Sequence, residues 1–377
     1  MSETKLFVGM DVHKDSVMVA VFPAGASEPT VVKRLPNEAR KLRRFFERLS
    51  RQGEVRACYE ASGAGYVLQR LLTTWGHTCE VVAPSLIPTR PGDRRKHDKK
   101  DAVQLARLYR AGELVVIRIP AAAEERVRDL VRCRETFQRE VLRSRHYNLK
   151  FLRRRDLVYR EGRNWTARHL AWLRGLQCAG ALEVEDQEVF TEYLALLEYK
   201  LQRREELDRR IEALALRPAY RAAVERLCCF KGISTHAAMV LVTELGDVRR
   251  FDHPRQLMAY VGLVPSEHSS GEQRRQGSIT KAGNSRCRHV LIQAAWSYRH
   301  PPRRGVPLKR RQEGQPAAVV VHSWKAQHRL HKLFGRLAYR RCPQIAVVAV
   351  ARELVGFLWA VMWELEAETH DRIERAA

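Results

Sequence analysis

Acidic residues are scarce in this chain: 43 Asp and Glu stand against 68 Lys and Arg, a formal net charge of +25. A surplus that large is out of place in an ordinary metabolic enzyme and points to a polyanion as partner. The eight cysteines include no C-x-x-C pair, and only Cys228 and Cys229 adjoin. That pattern offers neither a zinc knuckle nor a disulfide framework and fits free thiols in a reducing cytoplasm. Residues 1–5, Met1-Ser2-Glu3-Thr4-Lys5, lack the apolar stretch of a signal peptide. The most apolar segment, residues 345–363, is broken near its middle by Arg352 and Glu353, so a buried helix is expected there and no membrane span.

The length of 377 residues exceeds what one core usually organises, so two domains or a domain with a large insert are expected. Charge is concentrated: residues 90–174 hold 24 Lys/Arg against 11 Asp/Glu. Three parts are expected, at 1–119, 120–221 and 222–377.

In the first part, short apolar runs read as strands. Residues 6–12 and 17–22 flank His13-Lys14-Asp15-Ser16, which suits an antiparallel hairpin, and a third strand follows near 31–33. Residues 40–51 read as a helix with Leu42, Phe45, Phe46 and Leu49 inward. A buried strand at 55–59, a helix at 66–74, a strand at 79–82 and a helix at 98–109 complete the series. Three hairpin strands followed by alternating helices and strands is the order of a ribonuclease-H-like mixed sheet. In such a sheet the ends of the first and fourth strands lie side by side.

Four carboxylates stand where acid does not help folding. Asp11 ends the run Leu6-Phe7-Val8-Gly9-Met10, and Glu60 ends Val55-Arg56-Ala57-Cys58-Tyr59. Asp98 and Asp101, in Lys96-His97-Asp98-Lys99-Lys100-Asp101-Ala102, share one helix face. Any one of them alone reads as a surface acid or a cap. Together, in a chain this basic, they read as a site holding metal ions against nucleic-acid phosphates.

The middle, residues 120–217, reads as wholly helical and basic. Val127, Leu130, Val131, Phe137, Val141, Leu142, Leu149 and Leu152 form one apolar stripe. Leu194, Leu197, Leu201, Ile211 and Leu214 form a second, broken by Arg204 and Asp208 where a heptad wants apolar residues. An intramolecular helical hairpin and an oligomerising coiled coil both fit. Trp165 and Trp172 are expected in the core. Further on, Phe230-Lys231-Gly232-Ile233-Ser234 leads into an apolar helix, 237–245. A glycine turn there can present backbone N–H groups to a phosphate, as in helix-hairpin-helix modules, or be a plain turn. Residues 266–276 read as a polar loop.

From end to end the chain resembles the DEDD insertion-sequence transposases, recombinases guided by a bridge RNA. The resemblance rests on FVGMDVHKDSVMVAVF at 7–22, CYEASGAGY at 58–66 and KHDKKDAVQLARL at 96–108, then FKGISTHAAMVLVTELGD at 230–247, YVGLVPSEHSSGE at 260–272 and ITKAGNSRCRHVL at 279–291. The stretch from Trp324 to Trp359 is similar to a branch of that family with a longer C-terminal end. The resemblance implies a RuvC-like N-terminal domain whose metal-binding, catalytic acids match Asp11, Glu60, Asp98 and Asp101. It implies a mainly helical C-terminal transposase domain whose nucleophilic serine matches Ser270, with Ser269 one residue away as the rival. It further implies Mg2+ or Mn2+ as cofactor and DNA, both element ends and target, as substrate. A non-coding guide RNA, a homo-oligomer (dimer or tetramer) and action on the bacterial nucleoid in the cytoplasm complete the expectation. Two positions depart from the family pattern: Lys231 stands where proline is usual, and Cys287 where leucine is usual. The alternative reading of the acids is a RuvC-like endonuclease that uses water. A sugar-kinase or actin-like ATPase shares an early aspartate and hairpin, but would need glycine-rich phosphate loops and no such positive charge.

Overall fold

The computed structural model describes residues 4–88, 97–178, 180–267 and 276–376, with the side chains of residues 178 and 369–376 left out. The chain divides into two compact units, Met1–Pro120 and Ala121–Ala377.

The first unit is built on strands β1 (Lys5–Val12), β2 (Ser16–Pro23) and β3 (Val31–Pro36), helix α1 (Ala39–Ser50), strand β4 (Glu54–Glu60), helix α2 (Val67–Thr74), strand β5 (Thr78–Val82) and helix α3 (Asp98–Ala111). The sheet order is β3-β2-β1-β4-β5. β1 pairs antiparallel with β2 and parallel with β4, which is the ribonuclease-H-like arrangement expected from the sequence. Strand alternation sends Leu6, Val8, Met10, Val17, Val19 and Val21 to one face, where they pack with Leu42, Phe46 and Leu49 of α1 and Leu68 and Leu72 of α2. The opposite face receives α3, through Ala102 and Ala106 against Phe7, Ala20 and Phe22.

That second face depends on small residues. A Cβ built on Gly9 would lie 2.9 Å from Ala106 Cα, and closer still to Ala102 O and Ala106 N. Glycine at position 9 and alanines at 102 and 106 therefore let α3 settle directly on β1, and the Cys58 thiol donates to Leu105 O at 3.8 Å from the neighbouring strand. His97 caps α3, its Nδ1 accepting from Lys99 N at 3.4 Å.

The second unit contains helices α4 (Ala122–Arg153), α5 (Ala167–Cys178), α6 (Val184–Ala215), α7 (Pro218–Cys228), α8 (Thr235–Leu245) and α9 (Pro254–Tyr260), the hairpin β6 (Pro265–Glu267) and β7 (Gln276–Ile279), then α10 (Ser285–Ala295), α11 (Val306–Gln312), α12 (Ala317–Arg340) and α13 (Pro343–Ala376). α4 and α6 form an antiparallel intramolecular hairpin. Its rungs are Arg134–Asp208 at 2.6 Å, Lys200–Glu140 at 3.2 Å and Asn148 Nδ2 donating to Tyr193 O at 3.0 Å. Asp208 breaks the heptad because it is the partner of Arg134. The middle is not helical throughout: residues 154–166 leave the helical path, with Asp156 and Trp165 at φ of 56° and 69°. Trp165 and Trp172 pack around the fully buried His169, with ring centroids 4.9 and 5.6 Å from it.

A larger core joins α7, α8, α10, α12 and α13. The α7–α8 turn is a helical hairpin in which Gly232 adopts φ 87°. A Cβ there would lie 2.8 Å from Ser297 Oγ and 3.0 Å from Ala294 Cα, so close packing against the end of α10 accounts for the glycine. Lys231, in place of the family's proline, donates to Pro301 O at 3.0 Å and His300 O at 3.3 Å. Cys287 is fully buried in the same core, where burial pushes its thiol well up. Pro343–Glu368 of α13 is long and apolar enough to cross a membrane by composition, yet half of its most apolar window is buried in the fold. Leu354, Val355, Leu358 and Val361 lie in the core, which makes it the buried helix expected. The described cysteines are all free thiols.

Candidate active site

The last residues of β1 bring Asp11 to the edge of the sheet on the face that α3 covers. β1 and β4 run parallel with Met10 opposite Tyr59, so the next residue on each strand is Asp11 on one and Glu60 on the other. Gly9 and Asp11 share a face, as do Cys58 and Glu60. Because α3 sits on Gly9 and Cys58, its first turn, with Asp98 and Asp101, falls at the strand ends. Negative side chains in a first helical turn also suit the helix dipole, so Asp98 and Asp101 favour the start of α3.

The turn after β1 is pinned from outside. His13 N donates to Ser16 O at 2.9 Å, and Asn37, just beyond β3, donates through Nδ2 to His13 O at 2.9 Å. His13 is thereby held over the carboxylates, its Nε2 3.1 Å from Asp11 Oδ2 and 3.5 Å from Asp98 Oδ2. Arg34 of β3 donates to Asp98 Oδ2 at 2.7 Å. One ligand atom each from Asp11, His13 and Asp98 lie within 4.8 Å of one another, the one such group among the described residues.

Of the four predicted acids, the structure thus brings Asp11 and Asp98 into one tight group. Glu60 stands exposed at the adjoining strand end, and Asp101 is half-buried one turn along α3; neither belongs to that group. Ser269 and Ser270 lie outside the described residues. Sequence reading used His13 only as part of a turn. Its place over the acids is set by the turn that Asn37 pins, which the local sequence does not reveal.

Two carboxylate oxygens and an imidazole nitrogen are a donor set for a divalent cation, with the oxygens suited to Mg2+ and the imidazole more readily accepted by Mn2+. Carboxylates this close repel unless positive charge intervenes, and here the Arg34 guanidinium provides it. The residues present therefore fit a divalent metal. Lys14 and Lys99 stand exposed on the same turn and helix, so a phosphate approaching the acids meets positive charge first.

Comparison with known proteins fits this geometry. Residues 8–155 match a DEDD transposase family of the IS110 type, and residues 224–305 match the Transposase IS116/IS110/IS902 family. The chain is 39% identical over 367 residues to the candidate transposase y4qE of Sinorhizobium fredii, covering 96% of this chain and 90% of that protein. It is 31% identical to the transposase for insertion sequence element IS1533 of Leptospira borgpetersenii, covering 89% of this chain and 98% of that one. The chain belongs to the IS110 family of transposases.

It is therefore an enzyme that acts on DNA in the movement of an insertion sequence, and DNA is its substrate. The first family match spans every described residue of the Asp11–His13–Asp98 group together with Glu60 and Asp101. The second spans residues 268–275, the segment that carries both serines. Lys231 and Cys287 fall within the second match and have structural roles, one tying down residues 300–301 and the other filling the core.

Proposed function

We propose that this transposase excises and inserts its element by metal-assisted phosphodiester cleavage, with Asp11, Glu60, Asp98 and Asp101 as the catalytic and metal-holding acids and Ser270 as nucleophile. The observation that carries the reading is the convergence of Asp11 and Asp98, far apart in sequence, with His13 within 4.8 Å. Asp11, His13 and Asp98 would hold a divalent cation, Mg2+ or Mn2+, which when bound would supply charge neutralisation at the phosphate and at the attacking and leaving oxygens. Asp11 and Asp98 supply the anionic oxygens, and His13 orients them. Glu60 and Asp101 extend the acidic edge on either side, where a second carboxylate pair can complete the site as the substrate closes on it.

A serine hydroxyl attacks poorly unless its barrier is lowered. When the Ser270 oxygen attacks the phosphorus, a phosphoserine ester forms as the bond to the leaving sugar oxygen breaks. One phosphoester replaces another, so strands are exchanged without an external energy source. A bound guide RNA selects the target, and a dimer or tetramer in the cytoplasm assembles element ends and target. In this reading residues 1–119 carry the acids, 120–221 form the helical arm and 222–377 carry the serine.

Denaturing electrophoresis with end-labelled DNA tests the proposal. Wild type is expected to give a covalent protein–DNA band, and Ser270→Ala to give none while still binding DNA. Asp11→Asn and Asp98→Asn should each abolish the band without unfolding the protein. A band lost in Ser269→Ala and kept in Ser270→Ala moves the nucleophile by one residue. Cleavage without any band in wild type replaces serine by water and overturns the phosphoserine step.

A further inference from the structure

Part of the basic surplus in residues 90–174 is taken up by ion pairs. Arg132 pairs with Glu244 at 2.6 Å, Arg134 with Asp208 at 2.6 Å, Arg143 with Glu140 at 3.0 Å and Arg174 with Glu198 at 2.7 Å, and Arg155 pairs with Asp186. A second basic region is denser. Residues 286–352 hold fifteen Lys/Arg and a single acid, Glu313.

Within that region α12 contains no Asp or Glu at all. Its buried face, Val319, Ser323, Ala326, Gln327, Leu330 and Leu333, packs into the core. Lys325, Arg329, Lys332 and Arg336 follow at steps of four, three and four residues, which places them on the opposite side within a stripe only tens of degrees wide. All four are exposed. Arg329 pairs with Glu353 at 2.8 Å, whereas Lys325, Lys332 and Arg336 have no ion-pair partner among the described residues. Three cations on one exposed helix face without a paired acid among the described residues make a ready counter-charge for a polyanion.

The stripe runs past a cavity of about 850 Å³. Arg255 of α9, Arg329 of α12 and Arg352 of α13 line it, against Glu267 and Glu353. Glu267 ends β6 and Gln276 opens β7, and both line the cavity wall. The cationic stripe therefore leads, through Arg329, to the base of the β6–β7 hairpin, which lies within the second family match.

We propose that the exposed face of α12, through Lys325, Lys332 and Arg336, is a track for the DNA sugar-phosphate backbone that delivers a strand to the cavity between α9, α13 and the β6–β7 hairpin. DNA is the occupant because the family acts on DNA and because a row of point charges along one helix matches a sugar-phosphate backbone. The inference needs DNA as substrate and nothing about which group attacks it.

The test is binding of the full chain to a labelled duplex of arbitrary sequence, in chelator so that nothing is cut, as a function of salt. Lys325→Gln/Lys332→Gln/Arg336→Gln is compared with Arg40→Gln/Arg44→Gln/Arg48→Gln, three equally exposed arginines along α1. Each phosphate that a variant no longer neutralises should flatten the log–log salt slope by about 0.9, so the α12 triple variant should lose about 2 to 3 from the slope and at least tenfold in affinity, with the α1 triple near wild type. Thermal unfolding checks that both variants fold, and a photocrosslinker at position 332 should capture the duplex in the wild-type background. Equal losses in the two triples, or no loss and no crosslink at 332, overturns the track. Loss of RNA binding with DNA binding intact overturns the assignment to DNA. Because no bond is cut, a failure of the serine reading leaves this measurement unchanged.

Discussion

Replacing Gly9 by alanine tests whether the site is made by how closely α3 approaches β1. The added Cβ would stand 2.9 Å from Ala106 Cα and nearer to Ala102 O and Ala106 N, all backbone atoms that cannot rotate away. Ordinary van der Waals separation requires α3 to retreat on the order of 1 Å, and overpacking of that kind costs about 1–3 kcal/mol. Asp98 and Asp101 occupy the first turn of the displaced helix, while Asp11 stays on the strand. A misplacement of about 1 Å in a catalytic constellation costs about a hundredfold in rate. Gly9→Ala is therefore expected to fold, to unfold at a somewhat lower temperature, and to cleave DNA about a hundredfold more slowly although no carboxylate has changed. Gly25→Ala is the control, since a Cβ there meets nothing within 4 Å. Strand cleavage under single-turnover conditions, Mn2+ binding and thermal unfolding are measured on both. Wild-type cleavage in Gly9→Ala would refute the argument, as would a loss of stability with cleavage and Mn2+ affinity intact.

Three further outcomes are expected. His13→Ala should weaken Mn2+ binding by about tenfold or more without unfolding the chain, because Nε2 is 3.1 Å from Asp11 and 3.5 Å from Asp98; titration calorimetry giving wild-type affinity would remove His13 from the site. Glu244→Ala should destabilise the second unit by about 3 kcal/mol in urea unfolding: burial pushes this carboxylate up, but Arg132 at 2.6 Å and Asn284 at 2.8 Å hold it below its usual value, and a loss under about 1 kcal/mol would contradict that role. Burial first, then a hydrogen bond with Asp247, pushes Glu366 from 4.5 up to about 7. The native state then binds this proton more tightly than the unfolded chain, so its stabilising effect is complete below pH 4.5 and fades as pH rises through about 7, by about 1–2 kcal/mol once solvent screening of a half-buried group is allowed for; Glu366→Gln should flatten that fall, and an unchanged pH profile would refute it.

The sheet was legible in the sequence because apolar alternation with period two, a four-residue hairpin turn and alternating helices leave few topologies. The strand-ending positions of Asp11 and Glu60 were legible for the same reason. His13 was not, because its place over Asp11 and Asp98 depends on Asn37, a distant residue that pins the turn by bonding His13 O. Gly9 looked like one apolar-run residue among others, since only the packed helix reveals why a side chain is excluded there. The polar loop read at 266–276 falls mostly outside the described residues, and its ends belong to β6 and β7, three and four residues long and too short to show a period. The break between α4 and α5 was hidden by continuous helical composition. Heptad interruptions at Arg204 and Asp208 left hairpin and coiled coil both open, and the Arg134–Asp208 pair across the hairpin settles what Asp208 does.

Scarcity of acid gives the positions of the remaining acids their meaning. In the α4–α6 hairpin, carboxylates neutralise arginines that the fold would otherwise leave repelling one another. At the end of β1 the relation is reversed, since two acids converge and basic groups are drawn in to hold them. Arg34 and His13 are both well exposed, at 59% and 49% of their side-chain surface, so each ion pair contributes about 1 kcal/mol or less. Such a pair keeps Asp11 and Asp98 together in the resting protein and yields readily to a stronger cation, because a divalent ion competes for Asp98 against a solvent-screened guanidinium and not a buried one. A carboxylate that is itself buried against its arginine, as Glu244 is against the half-buried Arg132, would exchange its partner far less readily. For the proposed metal-holding role of Asp98, exposed pairing with Arg34 leaves the carboxylate open to exchange, whereas Glu244, at 2% side-chain exposure, is closed to it.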